Sequence, residues 1–117
     1  MFKFEKLEVW QEAVAYADAI YDATRSFPGN EQYGLTSQVT RAAVSVSANL
    51  AEGSGRTSAT DFGRFVEIAY GSLMETVSHL SIAQRRHFIT DIQFQELYQR
   101  AERLARMLSG LRSTLRS

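Results

Sequence analysis

Cysteine is absent from this 117-residue chain. Its absence excludes disulfides, thiolate catalysis and cysteine-based zinc or iron–sulfur sites, and it fits a reducing compartment. Histidine occurs only twice and proline once, at Pro28, so metal and general-base candidates are few. Charge of one sign is not in excess: Lys and Arg number 13, Asp and Glu 13, for a formal net charge of zero. Such a balance argues against an indiscriminate polyanion binder. No apolar run approaches the roughly 20 residues of a membrane span. The opening MFKFEKLEVW lacks the uninterrupted apolar segment of a signal peptide. These absences lead to the expectation of a soluble, cytoplasmic protein with no cofactor, no metal and no membrane partner.

What is present is ordinary in amount, with 44% hydrophobic and 22% charged residues, enough for one globular domain over residues 1–117. Charge is unevenly spread. Residues 1–80 hold six basic groups against ten acidic ones, whereas residues 81–117 hold seven against three.

The periodicity is helical throughout. Before Pro28, the residues Leu7, Trp10, Val14, Ala17, Tyr21 and Thr24 alternate steps of three and four. A second ridge, Trp10, Ala13, Ala17, Ile20, Thr24 and Phe27, runs beside it. Together with Val9 and Tyr16 they cover more of the first helix than the stripe of about 100° that one neighbour hides. A second helix is predicted from Leu35 to Glu52, stopped by Gly53 as a left-handed residue. Ser58 with Asp61 opens a third, which ends near Arg86 or His87. Thr90 with Gln93 opens a fourth, carrying Phe94, Leu97, Ala101, Leu104, Leu108, Leu111 and Leu115 in heptad spacing. No strand-like alternation or repeat is visible. Four helices with short connections predict an all-α, antiparallel up-down-up-down four-helix bundle.

The second helix poses the functional question. From Leu35 to Glu52 its only charged side chains are Arg41 and Glu52. One side is core, one carries a polar stripe of Gln38, Arg41, Ser45, Asn49 and Glu52, and the rest is small and almost uncharged. A helix without a solvated charged face is normally covered by protein. Homo-oligomerisation is therefore expected, through Val44, Ala48 and Ala51 of this helix and Val9, Trp10 and Tyr16 of the first. The polar stripe, with Glu75 of the third helix, is read as structural, its members satisfying one another and fixing which helices pair.

Catalytic readings fare poorly. A di-iron bundle needs Glu-x-x-His on two helices, and Glu75-x-x-x-His79 is one residue too long and occurs once. Neither His79 nor His87 stands in a context that marks a base, and His79 reads as an intrahelical partner of Glu75. GSGR at 53–56 has the raw material of an anion nest but not the spacing or lysine of a phosphate loop. Arg100, Arg103 and Arg106 form either a phosphate-tracking row or a solvated face. The chain is read as a non-enzyme.

Five linked motifs carry a family resemblance: Leu7-x-Val9-Trp10-Gln11, Tyr33 to Gln38, Arg41 to Val46, Asn49 to Gly53, and Gly71-Ser72-x-x-Glu75. In this order they resemble the four-helix-bundle proteins encoded in intervening sequences of bacterial 23S ribosomal RNA genes. Thr40 departs from the pattern, since members often have a second basic residue there. The resemblance implies an all-α bundle that assembles with itself, a pentamer in related proteins. It also implies a link to the accessory variability determinant of diversity-generating retroelements, which binds nucleic acid. On this basis RNA or DNA is an expected partner, contacted by Arg41, Arg56, Arg64, Arg85 and Arg86 gathered on one rim. The alternative is a scaffold that docks a partner helix on the apolar surface of the first helix.

Overall fold

The structure, a computed structural model, describes residues 1–116. These form four α-helices, with no strand among the described residues: α1 Glu8–Thr24, α2 Leu35–Ser54, α3 Ala59–Arg85 and α4 Asp91–Arg116. Short 3₁₀ turns precede α1 (Lys3–Lys6) and α2 (Gly29–Glu31). Each helix packs on its sequence neighbours, and α4 closes on α1. The result is a rod with extents of 43 × 23 × 22 Å.

Local chemistry sets the helix ends. Ser58 Oγ accepts from the Asp61 N–H at 3.1 Å, opening α3. At α4 the reciprocal box is complete, because the Gln93 N–H donates to Thr90 Oγ1 at 3.1 Å and the Thr90 N–H to Gln93 Oε1 at 2.8 Å. Such caps satisfy N–H groups that have no partner within the helix. Helix α3 ends in a Schellman motif: the Phe88 N–H reaches the Ala83 carbonyl at 2.8 Å and the His87 N–H the Gln84 carbonyl at 3.0 Å. His87 fills the left-handed position, φ 62°, where glycine is usual.

Gly53 departs from expectation. Helix α2 continues through it to Ser54, and Gly55 ends it in right-handed geometry at φ −84°. Gly53 is buried instead against α3, where a Cβ would lie 2.6 Å from Phe65 Cβ and 2.9 Å from Phe62 Cδ1. Its role is close approach of two helices, not chain reversal. The same seam meets again further along, with Ser45 Oγ 2.9 Å from Ser72 Oγ.

Apolar stripes from all four helices meet in one core. Tyr16, Ile20, Val39, Val46, Leu50, Val66, Leu73, Leu80 and Leu108 are almost wholly removed from water. The end bearing Pro28 is closed by Phe27 against Phe88, ring centres 5.6 Å apart, and by Ser26 Oγ donating to the Phe88 carbonyl at 2.7 Å.

Helix α1 corrects one sequence expectation. Val9 and Tyr16 do not await a partner; both are buried within the chain, Tyr16 to 1% exposure. The wide apolar arc of α1 is shared between α2 and α4, and the N-terminal arm covers part of what remains. Phe4 packs edge-on against half-buried Trp10 at 4.9 Å, and the Gln11 side chain donates to the Glu5 carbonyl at 2.9 Å, tying that arm down.

Candidate functional site

The outer surface of the α2–α3 pair holds most of the residues singled out in the sequence. At about 100° per residue, Val44 and Ala48 stand on the outward side of α2. Gly71, Ser78 and Ile82 stand on the outward side of α3, with Met74 beside them. Val44 is 40% exposed, Ile68 52%, Met74 41% and Ile82 48%. Between Glu67 and Arg85 the only Asp, Glu, Lys or Arg on α3 is Glu75. Helix α3 therefore repeats, on its outer face, the scarcity of charge that marks α2. The sequence carries this signal too, masked by the stronger buried ridge of the same helix. Ala51 is half-buried, and the N-terminal arm lies near it around Phe2, Lys3 and Phe4.

The polar stripe divides into two kinds of residue. Ser45, Asn49 and Ser72 form a short ladder: Asn49 Nδ2 donates to the Ser45 carbonyl at 2.8 Å and lies 2.9 Å from Ser45 Oγ, which meets Ser72 Oγ. This ladder ties α2 to α3. Gln38, Arg41, Glu52 and Glu75 do not join it; all are exposed. Glu52 pairs with Arg56 of its own helix end at 3.4 Å, an exposed contact of small energetic worth. Toward the other end of the seam, Tyr33, Ser37, Gln38, Arg41, Glu75 and His79 line an open groove of about 340 Å³. No ion pair joins Glu75 to His79 or to Arg41 among the described residues.

The arginines expected on one rim separate into two groups. Arg56 and Arg64 flank the α2–α3 connection. Arg85 and Arg86 lie at the far end of α3, about 32 Å from Arg64 at 1.5 Å per residue. Arg41 sits apart, in the groove. The chain therefore does not gather the five. Sequence reasoning missed two others that do join Arg56 and Arg64: Arg112 and Arg116, brought to that end by α4. Arg112 donates to Glu67 from Nε at 2.8 Å and also from Nη2, while Arg116 approaches the same carboxylate at 4.0 Å. Gly63 makes room for this, since a Cβ there would stand 2.9 Å from Arg112 Nη1. Arg56 lies over the Phe65 ring at 4.6 Å, and Arg64 faces Asp61 at 3.8 Å. At the opposite end, Arg86 is 6.0 Å from the centre of the Phe88 ring.

Other sequence candidates find plain structural roles. The GSGR segment forms no anion nest, because the Gly55 and Arg56 N–H groups donate back to the Glu52 and Gly53 carbonyls at 3.2 and 3.0 Å. Arg103 bridges α4 to α1 through Glu8 and Glu12 at 3.8 and 3.6 Å, whereas Arg100 and Arg106 make no ion pair among the described residues. Burial pushes the Tyr16 phenol pKa far up, with a smaller opposing pull from Arg100, and its hydroxyl has no hydrogen-bond partner among the described residues. Among the described residues, no three His, Asp or Glu side chains come together as a metal cage requires, and no helix is long and apolar enough to cross a membrane.

Known proteins share this architecture. A crystal structure of a protein of unknown function from the S23 ribosomal protein family of Bacteroides thetaiotaomicron superposes with a TM-score of 0.80 at 24% identity, covering 88% of this chain and 96% of that one. At that identity the likeness concerns the fold. No curated protein matches the chain. The family of 23S rRNA-intervening sequence proteins matches over residues 5–110, a span that takes in all five sequence motifs and most of α4. The chain belongs to the 23S rRNA-intervening sequence protein family.

Proposed function

We propose that this chain is a non-enzymatic, cytoplasmic building block that assembles with copies of itself through the outer α2–α3 face. Part of the proposal is an antiparallel, up-down-up-down order of the helices. The meeting points support that order: Gly53 faces Phe65 and Ser45 faces Ser72, so earlier positions on α2 meet later ones on α3. The observation that carries the assembly reading is the exposure of four large apolar side chains on the two helices, Val44, Ile68, Met74 and Ile82, in stretches whose only Asp, Glu, Lys or Arg residues are Arg41, Glu52 and Glu75. Self-assembly would remove these side chains from water, which is the usual fate of apolar patches on soluble proteins. Val44 and Ala48 lie on one side of the polar seam, and Gly71, Met74 and Ile82 on the other. A head-to-tail contact of one flank on the other is heterologous, and heterologous contacts that close form rings. The pentamer of related proteins is one such ring.

The test uses Gly71→Lys. The space around Gly71 is open, with nothing within 4 Å of the position a Cβ would take, and lysine is a better helix former. The change leaves the folded chain intact while placing a charge on the face. Loss of higher mass in sedimentation, with helicity and cooperative melting retained, supports the contact; an unchanged mass removes Gly71 from it.

A second reading concerns nucleic acid. Arg56, Arg64, Arg112 and Arg116 converge at one end of the rod, and copy number multiplies them in a ring. Their carboxylate partners Glu52, Asp61 and Glu67 form mostly exposed pairs, which exchange readily for phosphate. Binding to structured RNA should weaken steeply with salt, and the triple variant Arg56→Ala, Arg64→Ala, Arg116→Ala should flatten that slope. A slope unchanged by the triple variant rejects this end as the contact.

A further inference from the structure

Most charged side chains near the α2–α3 seam have partners; among the described residues, those in the groove have none. Arg41 and Glu75 line the same groove of about 340 Å³ yet make no ion pair among the described residues. Gln38 and His79, beside them, make no side-chain hydrogen bond there either. Tyr33 stands at the rim with 90% of its surface exposed, the most exposed aromatic residue of the chain. The groove is open to solvent, and its lining is more polar than apolar. Its chemistry is specific: one guanidinium fork, one flat aromatic face, one carboxylate acceptor, and amide and imidazole groups between them.

We propose that this groove binds a single nucleotide unit, its phosphate on Arg41 and its base on Tyr33. The guanidinium presents paired N–H donors that match phosphate oxygens. The exposed phenol ring offers a stacking platform that any base can use. Glu75 accepts from a sugar hydroxyl or an exocyclic amine, and Gln38 offers both a donor and an acceptor to a base edge. A nucleotide uses every one of these groups. Inorganic phosphate would use Arg41 alone. The site is separate from the basic end of the rod, so its fate does not depend on that reading.

The test is calorimetric titration of the assembled protein with each of the four ribonucleoside 5′-monophosphates, with inorganic phosphate, and with a short unstructured oligoribonucleotide. Saturable binding of at least one monophosphate is expected, weakened roughly tenfold by Tyr33→Ala, the loss of one base–aromatic stack. Arg41→Ala should weaken it by a similar factor, and Arg64→Ala not at all. Tighter binding of the oligonucleotide, still dependent on Tyr33, assigns the unit to a strand; equal binding assigns it to free nucleotide. Both variants alter exposed side chains, and an unchanged thermal midpoint confirms that folding is intact. No saturable binding of any monophosphate overturns the proposal. So does phosphate binding as tightly as the nucleotides, or indifference to both variants.

Discussion

Alanine in place of Gly53 is the most demanding test of how the α2–α3 seam is built. Elsewhere in a helix this change stabilises by about 1 kcal/mol, because alanine restricts the unfolded chain. At Gly53 the new Cβ would stand 2.6 Å from Phe65 Cβ and 2.9 Å from Phe62 Cδ1. Ordinary carbon contacts lie at about 3.5–4.0 Å. Phe65 Cβ is anchored directly to the α3 backbone, so no side-chain rotation relieves that contact; the two helices must separate. Overpacking of this kind costs about 1–3 kcal/mol, and the rigid neighbour places the cost at the upper end. The net expectation is a loss of about 1–2 kcal/mol, or roughly 4–10 °C in melting midpoint for a domain of this size. Gly110→Ala is the control: it lies exposed on α4 with nothing within 4 Å, and should raise the midpoint by a few degrees. Thermal melts followed by circular dichroism compare the two. Opposite signs support the close contact. Stabilisation by both substitutions would refute the packing argument.

Other substitutions test separate parts of the account. Tyr16→Phe removes a buried hydroxyl that has no partner among the described residues, so stability should hold or rise by up to about 1 kcal/mol in chemical denaturation. A loss above that would show that the hydroxyl is bonded in solution. Asn49→Ala breaks the ladder to Ser45 and should cost about 1 kcal/mol, whereas Glu52→Ala should stay within about 0.5 kcal/mol, since its pair with Arg56 is exposed. Equal losses would contradict the division of the stripe. His87→Gly replaces a left-handed residue at the end of α3 and should raise the melting midpoint by a few degrees, a gain of about 1 kcal/mol.

The fold is legible in the sequence where one element carries its own signal. The Ser58 and Thr90 caps and the heptads of α4 need only local chemistry, and the structure holds them as expected. Gly53 defeats that reading because terminator glycine and contact glycine look alike in one dimension; only Phe62 and Phe65, on the next helix, distinguish them. Val9 and Tyr16 look outward-facing from the sequence because α1 offers more apolar arc than one neighbour hides, whereas it has two neighbours and an N-terminal arm. The outer row of α3 is legible in principle, since its charge-poor stretch resembles that of α2. Arg112 and Arg116 join Arg56 and Arg64 only through tertiary packing, which no spacing rule along α4 reveals.

The central claim is self-assembly through the α2–α3 face, and the absolute mass of the wild-type protein in solution tests it most directly. Light scattering on a purified sample, repeated over a range of dilutions, gives that mass without assumptions about shape. A single multiple of the 13.2 kDa chain that persists on dilution is expected, about 66 kDa for a five-membered ring. A mass of 13.2 kDa at every concentration would contradict self-assembly, and would leave Val44, Ile68, Met74 and Ile82 exposed to water for another reason.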